Sequence, residues 1–140
     1  MAVITMSNAQ YWLDKLGASG ILLGPAETAA RLMYDGNFTG PEQVDEGMGV
    51  MSAGLAAWNA AKYAGEGRRS PLVHVGRGME VAGPAMTEYR LQAGEADNIF
   101  HTFGPAALGI TLGAFLEYVA GPVHERFSRR NTGIINQRTP

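Results

Sequence analysis

Apolar residues recur every three or four positions along most of this chain, and glycines or glycine-proline pairs cut the pattern into pieces. Ser7 and Gln10 are spaced as a capping box, and Ala9, Trp12, Leu13 and Leu16 follow on one helical face. They predict a short N-terminal helix that Gly17 stops. Each Gly-Pro pair reads as a helix start, because proline at the first helical position gives up an N–H that has no partner there anyway. This predicts a helix over 25–35, with Ala26, Ala29, Ala30 and Met33 on one face, and a counterpart over 84–93, with Ala85, Met86 and Tyr89 inward. A longer apolar helix follows each. One runs over 48–64 behind the acidic Glu42, Asp45 and Glu46, which suit a helix N-terminus; the other runs over 105–120 and ends at Gly121-Pro122. Gly47, Gly49, Gly54, Gly109 and Gly113 each cost such helices roughly 1 kcal/mol against alanine, so close helix–helix approach is expected at these positions. Residues 71–75, rich in β-branched side chains, read as a strand that pairs with 79–81 or with a partner chain. The segment 131–140 lacks helical periodicity and reads as an extended arm, with Ile134, Ile135 and Asn136 as its docking residues.

The pattern also repeats. Residues 24–32 read G-P-A-E-T-A-A-R-L and residues 83–91 read G-P-A-M-T-E-Y-R-L, an ungapped match at an offset of 59 that Gly17 and Gly76 share. Further on, the apolar runs beginning at Gly49 and Gly109 correspond, and each meets an arginine pair, Arg68-Arg69 and Arg129-Arg130. Such self-similarity predicts one mainly α domain over 1–130, made of two helix–loop–helix repeats (17–69 and 76–130) packed about a pseudo-twofold axis. Thr28, Arg31, Thr87 and Arg90 recur within it and are expected at the repeat interface, bonding carbonyls of the neighbouring half.

Composition narrows the function more than it identifies it. The chain has 140 residues, too few for two full-sized domains, and 46% apolar residues, enough for a packed core. Charged residues are only 17% and glycines number 19, which suits small-residue helix contacts. A net charge of −2 excludes a chain coated by nucleic acid over its whole surface. The absence of cysteine excludes disulfides, thiolate zinc sites and thiol catalysis. Met1 to Gln10 lack the basic start and apolar run of a secretory signal, so secretion by that route is not expected.

No metal or cofactor is expected either. His74, His101 and His124 are isolated in sequence, and Gly76-Arg77-Gly78 lacks the third glycine of a dinucleotide loop. His124, Arg126, Arg129, Arg130 and Arg138 form a basic C-terminal end suited to an anionic lipid or nucleic-acid phosphate, and Arg68, Arg69, Arg126, Arg129 and Arg130 are candidate anion or partner-subunit contacts. The stretch 99–116 carries no formal charge and contains Gly109-x-x-x-Gly113, so 99–123 is a candidate membrane span. Three readings follow. The first is a non-enzymatic structural subunit of a large assembly, foremost a virus or phage particle, within a virion or an intracellular assembly. The second is an accessory subunit of a membrane complex; the third is a small enzyme or binding domain using His74, Glu80 or His101 between the halves.

Overall fold

A computed structural model describes residues 6–35, 46–67, 69–95 and 98–136. The fold is mainly α, as the periodicity predicts. Helix α1 spans Met6–Asp35, α2 Gly47–Gly65, α3 Pro71–Gln92, α4 Ile99–Phe115 and α5 Gly121–Asn136, with one wide π turn, Leu116–Ala120, linking α4 to α5. The last three therefore form one long rod. α1 packs antiparallel on α2, α3 packs antiparallel on α4 and the π turn, and the two hairpins meet mainly through α2 and α3.

Glycine decides how the hairpins close. A methyl group on Gly17 would fall 2.7 Å from the Trp58 nitrogen and 2.8 Å from the Gly54 carbonyl. One on Gly24 would strike the Gly47 carbonyl. In the second hairpin, a methyl on Gly76 would lie 2.5 Å from the Gly113 carbonyl, and one on Gly83 2.5 Å from the Pro105 carbonyl. Backbones at such separations exclude any side chain, so the entropic penalty of glycine is offset by close packing along each seam. The close approach expected at Gly47, Gly54, Gly109 and Gly113 is present. Gly49 instead faces the Glu88 side chain, and its N–H donates to that carboxylate at 3.1 Å.

Several boundaries differ from the sequence expectation. Gly17 does not stop a short helix, and the Gly24-Pro25 and Gly83-Pro84 pairs do not start new ones; all lie inside α1 or α3. Pro105 lies inside α4, and the rod continues through Gly121-Pro122. An interior proline withholds an N–H and frees the carbonyl four residues earlier. At Pro105 the freed carbonyl is that of His101, and Arg90 Nη1 from α3 donates to it. One turn deeper, the hydroxyl of fully buried Thr87 accepts from Ala106 N at 3.1 Å. The neighbouring helix thus supplies partners that the local sequence removes. Residues 71–75 and 79–81 belong to α3, and no strand occurs among the described residues. Ser70 caps this helix, its hydroxyl accepting from Leu72 N at 3.2 Å, with Pro71 at the first helical position. The extended arm is likewise corrected: backbone through Asn136 is helical, and residues 137–140 lie outside the described ones.

Polarity is inverted relative to a water-soluble bundle. Among the described residues the buried apolar side chains are Met48, Leu55, Ala61, Val73, Leu91 and Ala106, and Met51 and Phe103 pack against the cluster of Met48, Leu91 and Ala106. Ser52, Asn59, Arg77, Glu80, Thr87, Glu88, Thr102 and Glu117 are buried, whereas Leu16, Leu22, Leu23, Met86, Leu108, Leu112, Phe115 and Val119 are exposed. Residues 16–26, 47–61 and 99–116 contain no Asp, Glu, Lys or Arg, and 78–87 contains only the buried Glu80. A belt without exposed charge therefore surrounds the middle of the molecule.

Candidate functional site: an ion cluster between the hairpins

The chemistry of this molecule gathers where α2, α3 and the π turn converge. Gly113, Glu117 and Gly121 fall four residues apart, and the wide turn keeps all three directed at α3. Such π bulges recur at functional positions. The two glycines admit α3 closely, and Glu117 projects between them, 3% exposed. Its Oε1 accepts from Arg77 Nε at 3.0 Å and from Lys62 Nζ at 3.0 Å. Arg77, 2% exposed, also donates from Nη2 to Glu66 at 2.6 Å, and its guanidinium carbon lies 4.6 Å from the Tyr63 ring centre. Lys62 donates further to the Tyr118 hydroxyl at 2.7 Å and sits over the Trp58 ring. Glu80 is buried beside Asn59, Arg77, Lys62 and Glu117.

The cluster ties the first hairpin, through Lys62 and Glu66, to the second, through Arg77 and Glu117. Removing ions from water costs several kcal/mol each, so this arrangement holds only while each charge keeps its partner.

Carboxylates also close both ends of the α2–α3 seam. At one end Glu88 accepts from Gly49 N in the first turn of α2; at the other, Glu125 accepts from Ser70 N at 2.8 Å, at the head of α3. Each places negative charge at a helix N-terminus, where exposed N–H groups favour it. Ser52, in mid-seam, donates to the Val81 carbonyl at 2.8 Å.

The residues singled out from sequence fare unevenly. Arg69 joins the seam end, 3.4 Å from Glu66 and 3.6 Å from Glu125. Arg126, Arg129 and Arg130 are exposed on α5, and Arg68 lies outside the described residues. A cleft of about 270 Å³ between Arg69, His124 and Arg129 already holds the carboxylate of Glu125. Arg90 and Thr87 bond α4 of their own hairpin, not the other half, and Arg31 pairs with Glu27 on its own helix at 3.2 Å. Thr28 is buried in the α1–α2 seam. Ile134, Ile135 and Asn136 fall in the helical end of α5. His74 stacks on Tyr63 and His124 bonds Ser70, while His101 lies by Arg90 at the opposite end of α3. His74 and His101 thus lie at opposite ends of α3, and Glu80 lies between them at the ion cluster. No metal-holding group of three His, Cys, Asp or Glu occurs among the described residues.

Sequence reasoning missed Lys62, Arg77 and Glu117 as a set. The available signal was register: Arg77 adjoins the packing Gly76, and Glu117 follows Gly113 by four, so both ride the buried face. Fold and site together define a bundle of two glycine-closed helical hairpins locked by an internal ion cluster. No protein family, curated protein or solved structure matches the chain.

Proposed function

We propose that this chain is a non-enzymatic, membrane-embedded subunit of a larger assembly, with both helical hairpins in the bilayer. The observation that carries this reading is the polarity of the bundle: small residues face inward on all four packing helices, buried charges come from α3 and the π turn, and large apolar side chains are exposed on every helix. Lipid supplies no hydrophobic force between helices, so small-residue contacts and internal polar pairs are what hold such bundles. Interior prolines fit as well, since neighbouring helices can satisfy the carbonyls they free. The helix from Ile99 to Arg130 is long and apolar enough to cross a bilayer, and only 22% of its apolar window is buried within the protein. Eighteen uncharged residues at 99–116 extend about 27 Å, against a hydrocarbon core of about 30 Å.

The two ends of the bundle support an orientation. Tyr11, Trp12, Tyr63 and Tyr118 ring one end, together with Lys15, Lys62, Arg69, Arg126, Arg129 and Arg130. Tyr34, Tyr89 and Phe100 ring the other, with Glu27, Glu46, Glu88 and Glu95 beside Arg31 and Arg90. Aromatic rings favour membrane interfaces, and basic flanks stay on the cytoplasmic side. The start of α1, the α2–α3 connection and α5 are therefore assigned to that side, with the arginines of α5 among anionic headgroups. We further read the hairpins as copies of one ancestral unit, supported by the shared glycine offset: Gly17 meets Gly54 as Gly76 meets Gly113.

Alkaline carbonate extraction tests the reading. The protein should remain with the membrane pellet and need detergent for solubility. A monodisperse 14.9 kDa monomer in buffer alone would overturn it. Because the chain has no cysteine, single cysteines at Ser128 and Glu95 report orientation cleanly. In sealed right-side-out vesicles a membrane-impermeant maleimide should label the Glu95→Cys variant and spare Ser128→Cys.

A further inference from the structure

Glu80 is the carboxyl of the ion cluster that has no ion pair among the described residues. Its side chain is 5% exposed, and its stem presses on α4, where a methyl on Gly113 would fall 2.6 Å from Glu80 Cγ. The charged groups facing it are Lys62 of α2, Arg77 of its own helix and Glu117 of the π turn, with the Asn59 amide of α2 against its carboxyl. α4 adds no charge, since 99–116 is uncharged, and α1 packs on α2 without reaching α3.

The cations nearby are committed elsewhere. Lys62 Nζ and Arg77 Nε each lie 3.0 Å from Glu117, and Arg77 Nη2 lies 2.6 Å from Glu66. Arg69, further out, is shared by Glu66 at 3.4 Å and Glu125 at 3.6 Å. Lys62, Arg69 and Arg77 thus balance Glu66, Glu117 and Glu125, and a charge on Glu80 would be surplus. A buried carboxylate without its own counter-ion is so unfavourable that the group takes a proton instead. Ionisable side chains at membrane depth mark ion and proton sites for the same reason. We propose that Glu80 is a proton-binding site, holding one exchangeable proton inside the ion cluster at neutral pH. Asn59 can serve both states, its Nδ2 donating to the carboxylate and its Oδ1 accepting from the acid. Release of the proton restores the surplus charge, which then competes with Glu117 and Glu66 for Lys62 and Arg77. Those contacts tie the hairpins together, so proton occupancy sets how firmly they lock.

Infrared spectroscopy of the full chain in detergent tests the site through the C=O band of a carboxylic acid. At neutral pH the parent should show this band, shifted in D2O, and Glu80→Gln, which mimics the neutral acid in shape, should lack it. Glu66→Gln should lose it too, because the remaining charges then balance only if Glu80 is ionised. The folded chain binds this proton and the unfolded chain releases it, so the parent's folding constant should fall as pH rises, by up to about tenfold per pH unit. Glu80→Gln should lack that part of the slope. The proposal is overturned if the parent shows no acid band at neutral pH, or if the band survives in Glu80→Gln or in Glu66→Gln. A band that appears only when sodium is replaced by choline would assign the site to a metal cation and overturn it as well. Burial of the cluster carries this inference, so a chain that resists carbonate extraction but shows no acid band would sink it alone.

Discussion

The two hairpins close by the same device and differ in what they enclose. In α1–α2 the seam is backbone against backbone at Gly17, Gly20 and Gly24, and no ion pair among the described residues joins the two helices. The α3–α4 seam also runs through glycines, at Gly76, Gly83, Gly109 and Gly113, but it carries Arg77 and Glu117 at one end and Thr87 near the other. Glycine contacts fix the spacing of a helix pair without dictating its chemistry. The second hairpin carries its charges on such a frame, and Lys62 and Glu66 of the first reach across to meet them.

The sharpest way to break this comparison is to remove the shared carboxylate. Glu117→Leu leaves Lys62 and Arg77 short of a partner and should destabilise by about 3–5 kcal/mol. The double variant Arg77→Met with Glu117→Leu should recover part of that loss, because the buried guanidinium goes with its carboxylate while Lys62 keeps the Tyr118 hydroxyl and the nearby Glu80. Denaturant unfolding in detergent reads both, and a single variant as stable as the parent would remove the cluster from any structural role.

Next come the glycine seams. Gly54→Ala and Gly113→Ala each push a methyl to under 3 Å from backbone, so each should lose about 1–3 kcal/mol in thermal unfolding. Similar losses would support a common frame; an indifferent first hairpin would not. A smaller effect separates the two repeated threonine–arginine pairs. Thr87→Val strands the Ala106 N–H and should lose about 1–2 kcal/mol, whereas Arg31→Ala, breaking a half-exposed pair within one helix, should change stability by less than about 0.5 kcal/mol. Smallest, and opposite in sign, is Gly78→Ala. Nothing lies near its added methyl, so a gain of about 0.4–1 kcal/mol is expected from the restricted unfolded chain.

Periodicity made the helical class and the longer helices legible, and the expense of glycine inside them pointed to close contact at Gly54 and Gly113. It failed at Gly24-Pro25, Gly83-Pro84 and Gly121-Pro122, because the same pair that opens a helix in isolation can sit mid-helix when a packed neighbour fills the gap. Arg90 filling the carbonyl freed by Pro105 is the clearest case. Residues 71–75 misled in the same way: β-branched preference is a weak prior, and Ser70 and Pro71 together start a helix that packing then sustains.

The linear order of residues determined which surfaces are small, which are apolar and that the chain is helical, since these depend on spacing a few residues long. Only tertiary structure decided that Lys62, Arg77 and Glu117 share one cluster. They are 15 and 40 positions apart in sequence, and although register sets Arg77 and Glu117 beside packing glycines, their pairing exists only once two backbones meet at glycine and shut water out.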